Sequence, residues 1–506
     1  MGGSPFVLPE TPSNRKLVAN VHPPDWVNPE PAKRYNLVVV GAGTAGLVCA
    51  AGAAGLGAKV ALVERHLMGG DCLNVGCVPS KGLIRAARVF HDARHAEGFG
   101  VAGSEGLSLD FGRAMARMQE VRAGLSGHDG ARRFRDELGV DVFLGSGRFI
   151  GPDRLEVGSK LLRFHRAAVC TGARAAVPPI PGIEAAGYLT NETVFSLTGL
   201  PARLAVIGGG PVGCELAQAF ARLVARVTLL LLPGRLLPRE DEDVSRLLAA
   251  RFGREGIELR LRARITRIER QGRDKVLFFE QQGRAAQVGA DLILVAAGRL
   301  PNVEGLGLEA AGVAYGPAGV TTDDRLRTTN PRIFAAGDIC SPYKFTHMAD
   351  AQARLLIANA LFHARRRKSD LVVPWCTYTD PEVAHVGLSE REARARGFEV
   401  TTLTMDLAEV DRARLDGETE GLARVHLRKG SDRILGATLV ASHAGEMINE
   451  LTLAMTAGTG LMAIARTIHP YPTQAEVIKK LADAYNRTRI TPFIRNLLRF
   501  WLAMRR

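Results

Sequence analysis

The sequence predicts an α/β fold built on two copies of a strand–helix–strand unit, with a smaller α+β region behind them. The two copies are visible as LVVVGAGTAGLVCAAGAAGLGAKVALVE from residue 37 and RLAVIGGGPVGCELAQAFARLVARVTLLLLP from residue 203, each an apolar strand, spaced glycines, a helix and a second strand. Alternating apolar runs over residues 420–442 predict paired strands in the last quarter. At 506 residues and 46% apolar content the chain is long enough for three or four units, each with its own core.

In the first copy Gly41, Gly43 and Gly46 follow the strand, and Glu64 ends the next one. Such glycines let the backbone turn tightly and approach a pyrophosphate at a helix N-terminus, where free N–H groups and the helix dipole favour anions. Glu64 is placed to accept hydrogen bonds from a ribose. The second copy repeats the spacing with Gly208, Gly210 and Gly213, so two dinucleotide sites are expected. Glu64 lies 18 residues beyond Gly46, and the same distance beyond Gly213 falls on Leu231. The second site therefore has no acid for a ribose hydroxyl. Arg235 is the nearest candidate cation for a 2′-phosphate; NAD and NADP both stay open, and the missing acid, which removes repulsion, leans the choice of NAD(P)H slightly toward NADPH.

Directly after the first copy stands MGGDCLNVGCVPSK, residues 68–81, with Cys72 and Cys77 among Gly69, Gly70 and Gly76. An amphipathic helix with Pro79 in its first turn follows, so Cys77 sits near a helix N-terminus, where a thiolate is stabilised. Two thiols this close in a tight glycine loop suit a readily reduced disulfide. A zinc half-site would need a second cysteine pair, and no metal site is expected. Two inert buried thiols would not need the flanking glycines. A structural disulfide is at odds with the odd total of seven scattered cysteines, which suits a reducing compartment.

The formal net charge of +14 comes with no stripe of Lys/Arg and interleaved aromatics, so nucleic acid is not an expected partner. No apolar run reaches membrane-spanning length, and the start lacks the pattern of a signal peptide; a cytoplasmic location is expected. Residues 1–34, rich in Pro and polar side chains, are expected to form an extended arm pinned by Trp26. Residues 491–506 place Phe493, Leu497, Leu498 and Trp501 at helical spacing with arginines between and beyond them. This amphipathic basic helix suits packing within a dimer, or peripheral contact with an anionic membrane or a partner protein.

The run GGDCLNVGCVPSK between two dinucleotide folds resembles the flavin-dependent pyridine nucleotide-disulfide oxidoreductases, the group of dihydrolipoamide dehydrogenase, glutathione reductase and mercuric reductase. Further matching stretches carry Thr171 and Gly172, Gly298 and Arg299, Gly337 and Asp338, and His347 with Ala349. The resemblance implies an FAD-binding domain (35–192 and 300–372) interrupted by an NAD(P)-binding domain (193–299), then a dimerisation domain (373–490) and a homodimer. It implies that the first glycine loop, Gly70, Glu64 and Asp338 hold FAD, and that NAD(P)H at the second passes hydride to the flavin. Electrons would then reach the Cys72/Cys77 disulfide, with Cys77 as the charge-transfer thiolate and Cys72 as the interchange thiol. Lys81 and Glu215 match the family's ion pair beside the flavin.

The chain departs from the family's His-Pro-Thr-x-x-Glu motif in TIHPYPTQAEV, where Pro472, Thr473 and Glu476 align but Tyr471 takes the histidine's place. His469, two residues earlier, points the same way in an extended segment. A tyrosine with a pKa near 10 is a poor base at neutral pH. Tyrosine here is similar to mercuric reductase, yet no cysteine follows Cys376, and an N-terminal metal-binding domain is not expected. The implied activity is an NAD(P)H oxidoreductase of mercuric-reductase type acting on a small disulfide, a metal ion or a quinone. The alternative is a dihydrolipoamide dehydrogenase-type flavoprotein subunit serving an external lipoyl partner.

Overall fold

The computed structural model describes residues 7–506, so the first six residues of the expected arm lie outside the described residues. The chain forms two compact units, Met1–Gly234 with Gly253–Leu371, and Arg235–Phe252 with Val372–Arg506.

In the first unit the strand Tyr35–Val40 runs parallel to Val60–Glu64 on one side and to Lys160–Val169 on the other. Asp141–Leu144 and Ile333–Ala335 extend the parallel part of the sheet, and the antiparallel strands Gly147–Gly151 and Arg154–Val157 complete seven strands. Residues 37–40 of the strand Tyr35–Val40 are buried on both faces, which is why they read as an unbroken apolar run rather than an alternation. The small-residue helix Thr44–Gly55 packs closely on the helix Thr346–Phe362: a Cβ on Gly52 would lie 2.7 Å from Ile357 Cδ1. The second copy forms a four-stranded parallel sheet in the order Glu258–Leu261, Arg226–Leu231, Arg203–Ile207, Leu292–Val295. A three-stranded antiparallel sheet of Ala263–Gln271, Asp274–Gln281 and Arg284–Ala290 lies on it through a core of Ile207, Leu230, Leu277 and Phe279.

The expected extended arm is corrected by a helix, Pro12–Val21, whose Leu17 and Val21 are fully buried in the main core. Thr11 caps it by accepting from Asn14 N, and Pro12 opens it with a preset φ. Trp26 packs on the same core and donates from Nε1 to Val142 O at 3.3 Å.

The second unit is a five-stranded antiparallel sheet ordered Pro374–Thr377, Glu382–Gly387, Ile434–Ala441, Leu422–Arg428, Val400–Asp406. The two strands expected in residues 420–442 are its third and fourth members, and the helices Ala444–Thr456 and Glu476–Thr488 supply apolar faces to its core. Residues Arg235–Phe252, which the sequence division places within 193–299, group with this unit. Arg424 pairs with Asp241 at 2.9 Å and with Asp243, and Trp375 donates to Glu240 at 2.7 Å.

Candidate active site

Both glycine loops fold to the same local geometry. A Cβ on Gly46 would lie 1.8 Å from Gly41 O, and one on Gly213 would lie 1.9 Å from Gly208 O. Only glycine lets each helix begin this close beneath its own loop. Gly43 and Gly210 are the N-caps, and neither helix has a side-chain cap, which leaves first-turn N–H groups for an anion.

The surroundings of the two loops differ. Around the first, Gly70 (φ +56°) approaches so closely that its Cβ would meet Gly43 Cα at 2.6 Å, so two stretches of bare backbone lie side by side at the start of the helix. Glu64 ends its strand, and its carboxylate accepts from Ala42 N at 2.7 Å and His66 N at 2.8 Å; burial holds its pKa above the usual range. Asp338 is also raised by burial and lies 3.6 Å from Arg299, which in turn pairs with Asp71 and donates to Ala173 O at 2.6 Å. Thr171 donates to Asn302 O at 2.8 Å and accepts on its own carbonyl from Asn302 Nδ2 at 2.9 Å, while Gly172 O accepts from Asn302 N. Gly337 N donates to Gln352 Oε1 at 2.8 Å, with Ala349 against it. These residues would suit FAD: uncapped helix-start N–H groups for phosphates, the carboxylates of Glu64 and Asp338, and a backbone shell fixed by side-chain bonds. Gly298 (φ +129°) turns the chain just before Arg299.

At the second loop Leu231, the counterpart of Glu64, is 2% exposed and apolar. Arg235, expected as the cation for a 2′-phosphate, donates to Pro238 O at 2.9 Å within the second unit.

The cysteine run is more ordered than the expected loop. Cys72 lies in a short helix, Gly70–Asn74, and Cys77 is the first residue of the helix Cys77–Arg94, with Gly76 between them as N-cap. A Cβ on Gly76 would lie 2.7 Å from Asp71 O, so the join closes only around glycine. Both stand as thiols, Cys72 half-buried and Cys77 open to solvent on one side although protein packs closely around the rest of it. The pair is electrostatically unequal. A hydrogen bond from Cys72 lowers the Cys77 pKa to about 6, helped by Thr346 and Lys81 and opposed by burial and Glu215. The same bond, with burial, raises Cys72. Thr346 Oγ1 is 3.3 Å from Cys77 Sγ. The expected ion pair forms, Lys81 Nζ donating to Glu215 Oε2 at 2.7 Å, with the Glu215 side chain 6% exposed.

Three contributions to the site were not read from the sequence. Thr346 lies in a stretch where only His347 and Ala349 drew notice. Arg122, 3% exposed, donates to Asn74 O at 2.6 Å and to Asn14 Oδ1 at 2.7 Å, so the N-terminal helix is tied to the end of the Cys72 helix. A recess of about 260 Å³ opens beside Cys72, walled by Leu47, Val48, Leu73, Val78 and Leu125, with Thr44, His128 and Asp129 as its polar groups. Burial raises the Asp129 carboxyl.

His469, Tyr471 and Glu476 belong to the second unit, where the expected common orientation of His469 and Tyr471 is not found. His469 Nε2 is 2.9 Å from Glu450 and its side chain is 7% exposed, whereas Tyr471 is exposed and donates to Asp411 at 3.0 Å. That bond to a carboxylate raises the Tyr471 pKa. Glu476 holds neither of them, and its buried Oε2 has no hydrogen-bond partner. Among the described residues no group of three or more His, Cys, Asp or Glu is arranged to hold a metal ion.

Residues 35–353 match the family described as pyridine nucleotide-disulphide oxidoreductase, and residues 373–482 match its dimerisation domain. The chain is 34% identical over 457 residues to a mercuric reductase of Staphylococcus aureus, covering 90% of this chain and 83% of that one. It is 35% identical to a dihydrolipoyl dehydrogenase of Thermus scotoductus over 90% of this chain and 99% of that one. Among solved structures it is similar to the Cu(II) complex of the HOCl-induced flavoprotein disulfide reductase RclA from Escherichia coli, with TM-score 0.80, 30% identity, and coverage of 90% of this chain and 100% of that one. The second match supports a homodimer. With its two nucleotide loops and its unequal thiol pair, the chain belongs to the pyridine nucleotide-disulphide oxidoreductases, enzymes that use FAD and NAD(P)H.

Proposed function

We propose that this chain is an NADPH-dependent reductase whose Cys72/Cys77 dithiol delivers two electrons to a small acceptor without negative charge: an apolar disulfide, a soft metal ion or a quinone. The observation that carries this reading is the recess beside Cys72. Its walls are aliphatic, and among its lining residues none is Lys or Arg. An anionic disulfide such as oxidised glutathione would find only Thr44 and His128 there for its several carboxylates, beside Asp129, at a cost of about 1–3 kcal/mol for each polar group left unsatisfied. Relatives that are mercuric reductases support a soft-metal acceptor, and a solved relative that is a Cu(II) complex supports a metal ion as acceptor.

In this reading residues 35–192 and 300–372 form the FAD domain and 193–299 the NAD(P) domain, and FAD supplies the two-electron link between nicotinamide and cysteines. Glu64 and Asp338 orient the cofactor, and the Lys81–Glu215 pair sets the charge beside it. The reduced pair holds its electrons as a Cys77 thiolate and a Cys72 thiol. A disulfide acceptor takes both electrons as its S–S bond breaks and the Cys72–Cys77 bond forms; one of its sulfurs leaves as a thiol with the Cys72 proton and the other as a thiolate that takes its proton from water. Asp129 stands in the recess as the group that exchanges a proton with Cys72. That role replaces the family's histidine, since Tyr471 is a poor base and its bond to Asp411 weakens it further.

Anaerobic reduction of the holoenzyme with NADPH or NADH, followed by addition of oxidised glutathione, an uncharged aryl disulfide, Hg(II), Cu(II) or a quinone, tests the reading. NADPH should be preferred, and oxidised glutathione should reoxidise the dithiol at least tenfold more slowly than the uncharged acceptors. Rapid turnover with glutathione would overturn it.

A further inference from the structure

We propose that the helix Pro492–Ala503 is an interfacial anchor that lays its apolar face on an anionic lipid surface. None of its residues is buried, although Phe493, Leu497, Phe500 and Trp501 are 76, 56, 63 and 43% exposed. With 3.6 residues per turn these side chains, together with Ile494 and Leu498, fall within an arc of roughly 160°, and Arg495 and Arg499 fall on the opposite side. The division is that of a helix lying in a membrane interface, with aromatic and aliphatic groups inward and arginines reaching to the headgroups. Thr491 caps its start by accepting from Ile494 N, and the Arg505 guanidinium stacks 4.0 Å over the Trp501 ring. At about 1.5 Å per residue the twelve residues span about 18 Å, too short to cross a bilayer and suited to lying along one.

Charge selects the occupant. After Asp483 the chain carries six arginines and no Asp or Glu. A second copy would cover the apolar face but leave the arginines, on the opposite side, without a counter-charge. A leaflet containing anionic phospholipid meets both the apolar face and the charge. The anchor would hold the reductase where acceptors dissolved in the bilayer are concentrated.

The test is co-flotation of the full-length holoenzyme with vesicles. The protein should float with vesicles containing phosphatidylglycerol and stay behind with pure phosphatidylcholine. Arg495→Glu with Arg499→Glu should weaken binding about 30-fold or more, from the usual contribution of a basic residue near such a surface. Leu497→Glu with Trp501→Glu should abolish it, while NAD(P)H-dependent turnover with a water-soluble acceptor and the dimer mass stay unchanged. Three results would overturn the proposal: no flotation with anionic vesicles, full flotation after removal of residues 491–506, or conversion of the dimer to monomer by the Leu497 and Trp501 changes. The second would assign binding to the overall charge, and the third would assign the face to a second copy.

Discussion

The two glycine loops are near-copies in backbone and unlike in everything that surrounds them. In each, the third glycine sits under the carbonyl of the first at a separation no Cβ allows, 1.8 Å in one and 1.9 Å in the other. The first loop is enclosed by the backbone at Gly70, by Glu64 at the strand end and by a redox helix tied through Arg122 to the N-terminal helix. The second has Leu231 where the first has Glu64. The shared part is what any dinucleotide demands of a backbone. In the proposed reading the differing part separates a cofactor that stays from one that comes and goes: a retained FAD profits from enclosure, while the oxidised nicotinamide must leave after each hydride transfer.

The largest expected effect separates the loops directly. Gly46→Val should yield protein that purifies without flavin, whereas Gly213→Val should keep its flavin and lose NAD(P)H-driven reduction by at least 100-fold, since each side chain would collide with its own loop. Absorbance of the purified proteins and stopped-flow reduction read the two results. Equal flavin loss in both would show that the loops share one role.

The thiols come next. Cys77→Ser should abolish the long-wavelength charge-transfer absorbance of the reduced enzyme, and Cys72→Ser should leave a Cys77 thiolate beside oxidised flavin. Both changes should lower dithiol turnover by at least 1,000-fold, while direct flavin reduction by NADPH persists.

A smaller effect concerns the brace on the first loop alone. Arg122→Leu leaves Asn74 O and Asn14 Oδ1 without their donor and should cost about 3 kcal/mol of stability, read as a lower urea midpoint. Flavin content of the folded fraction should be unchanged. If stability is unaffected, the N-terminal helix does not support the redox helix.

What was legible in the sequence follows from which constraints are local. Glycine spacing betrayed both loops because a tight turn leaves its mark within six residues, and Cys77 at a helix start was announced by Gly76 and Pro79. The helix Pro12–Val21 had local signals too, Thr11-Pro12 at its start and Leu17 and Val21 four apart, but they lay inside a proline-rich stretch that reads as extended. Thr346, Arg122 and the recess beside Cys72 depend on segments far apart in the chain, and no local pattern carries them. The same holds for His469 and Tyr471, whose different acidic partners, Glu450 and Asp411, are set by the tertiary fold.

The most direct test of the unequal pair is a pH titration of the charge-transfer band in the two-electron-reduced holoenzyme. A thiol at its ordinary pKa of about 8.5 would lose the thiolate, and the band, as pH falls through that value. With the Cys77 pKa lowered to about 6 by the Cys72 hydrogen bond, the band should stay at full strength down to about pH 7 and fall to half near pH 6. A midpoint at 8 or above would contradict the unequal pair, and with it the assignment of Cys77 as the thiolate and Cys72 as the thiol that meets the acceptor.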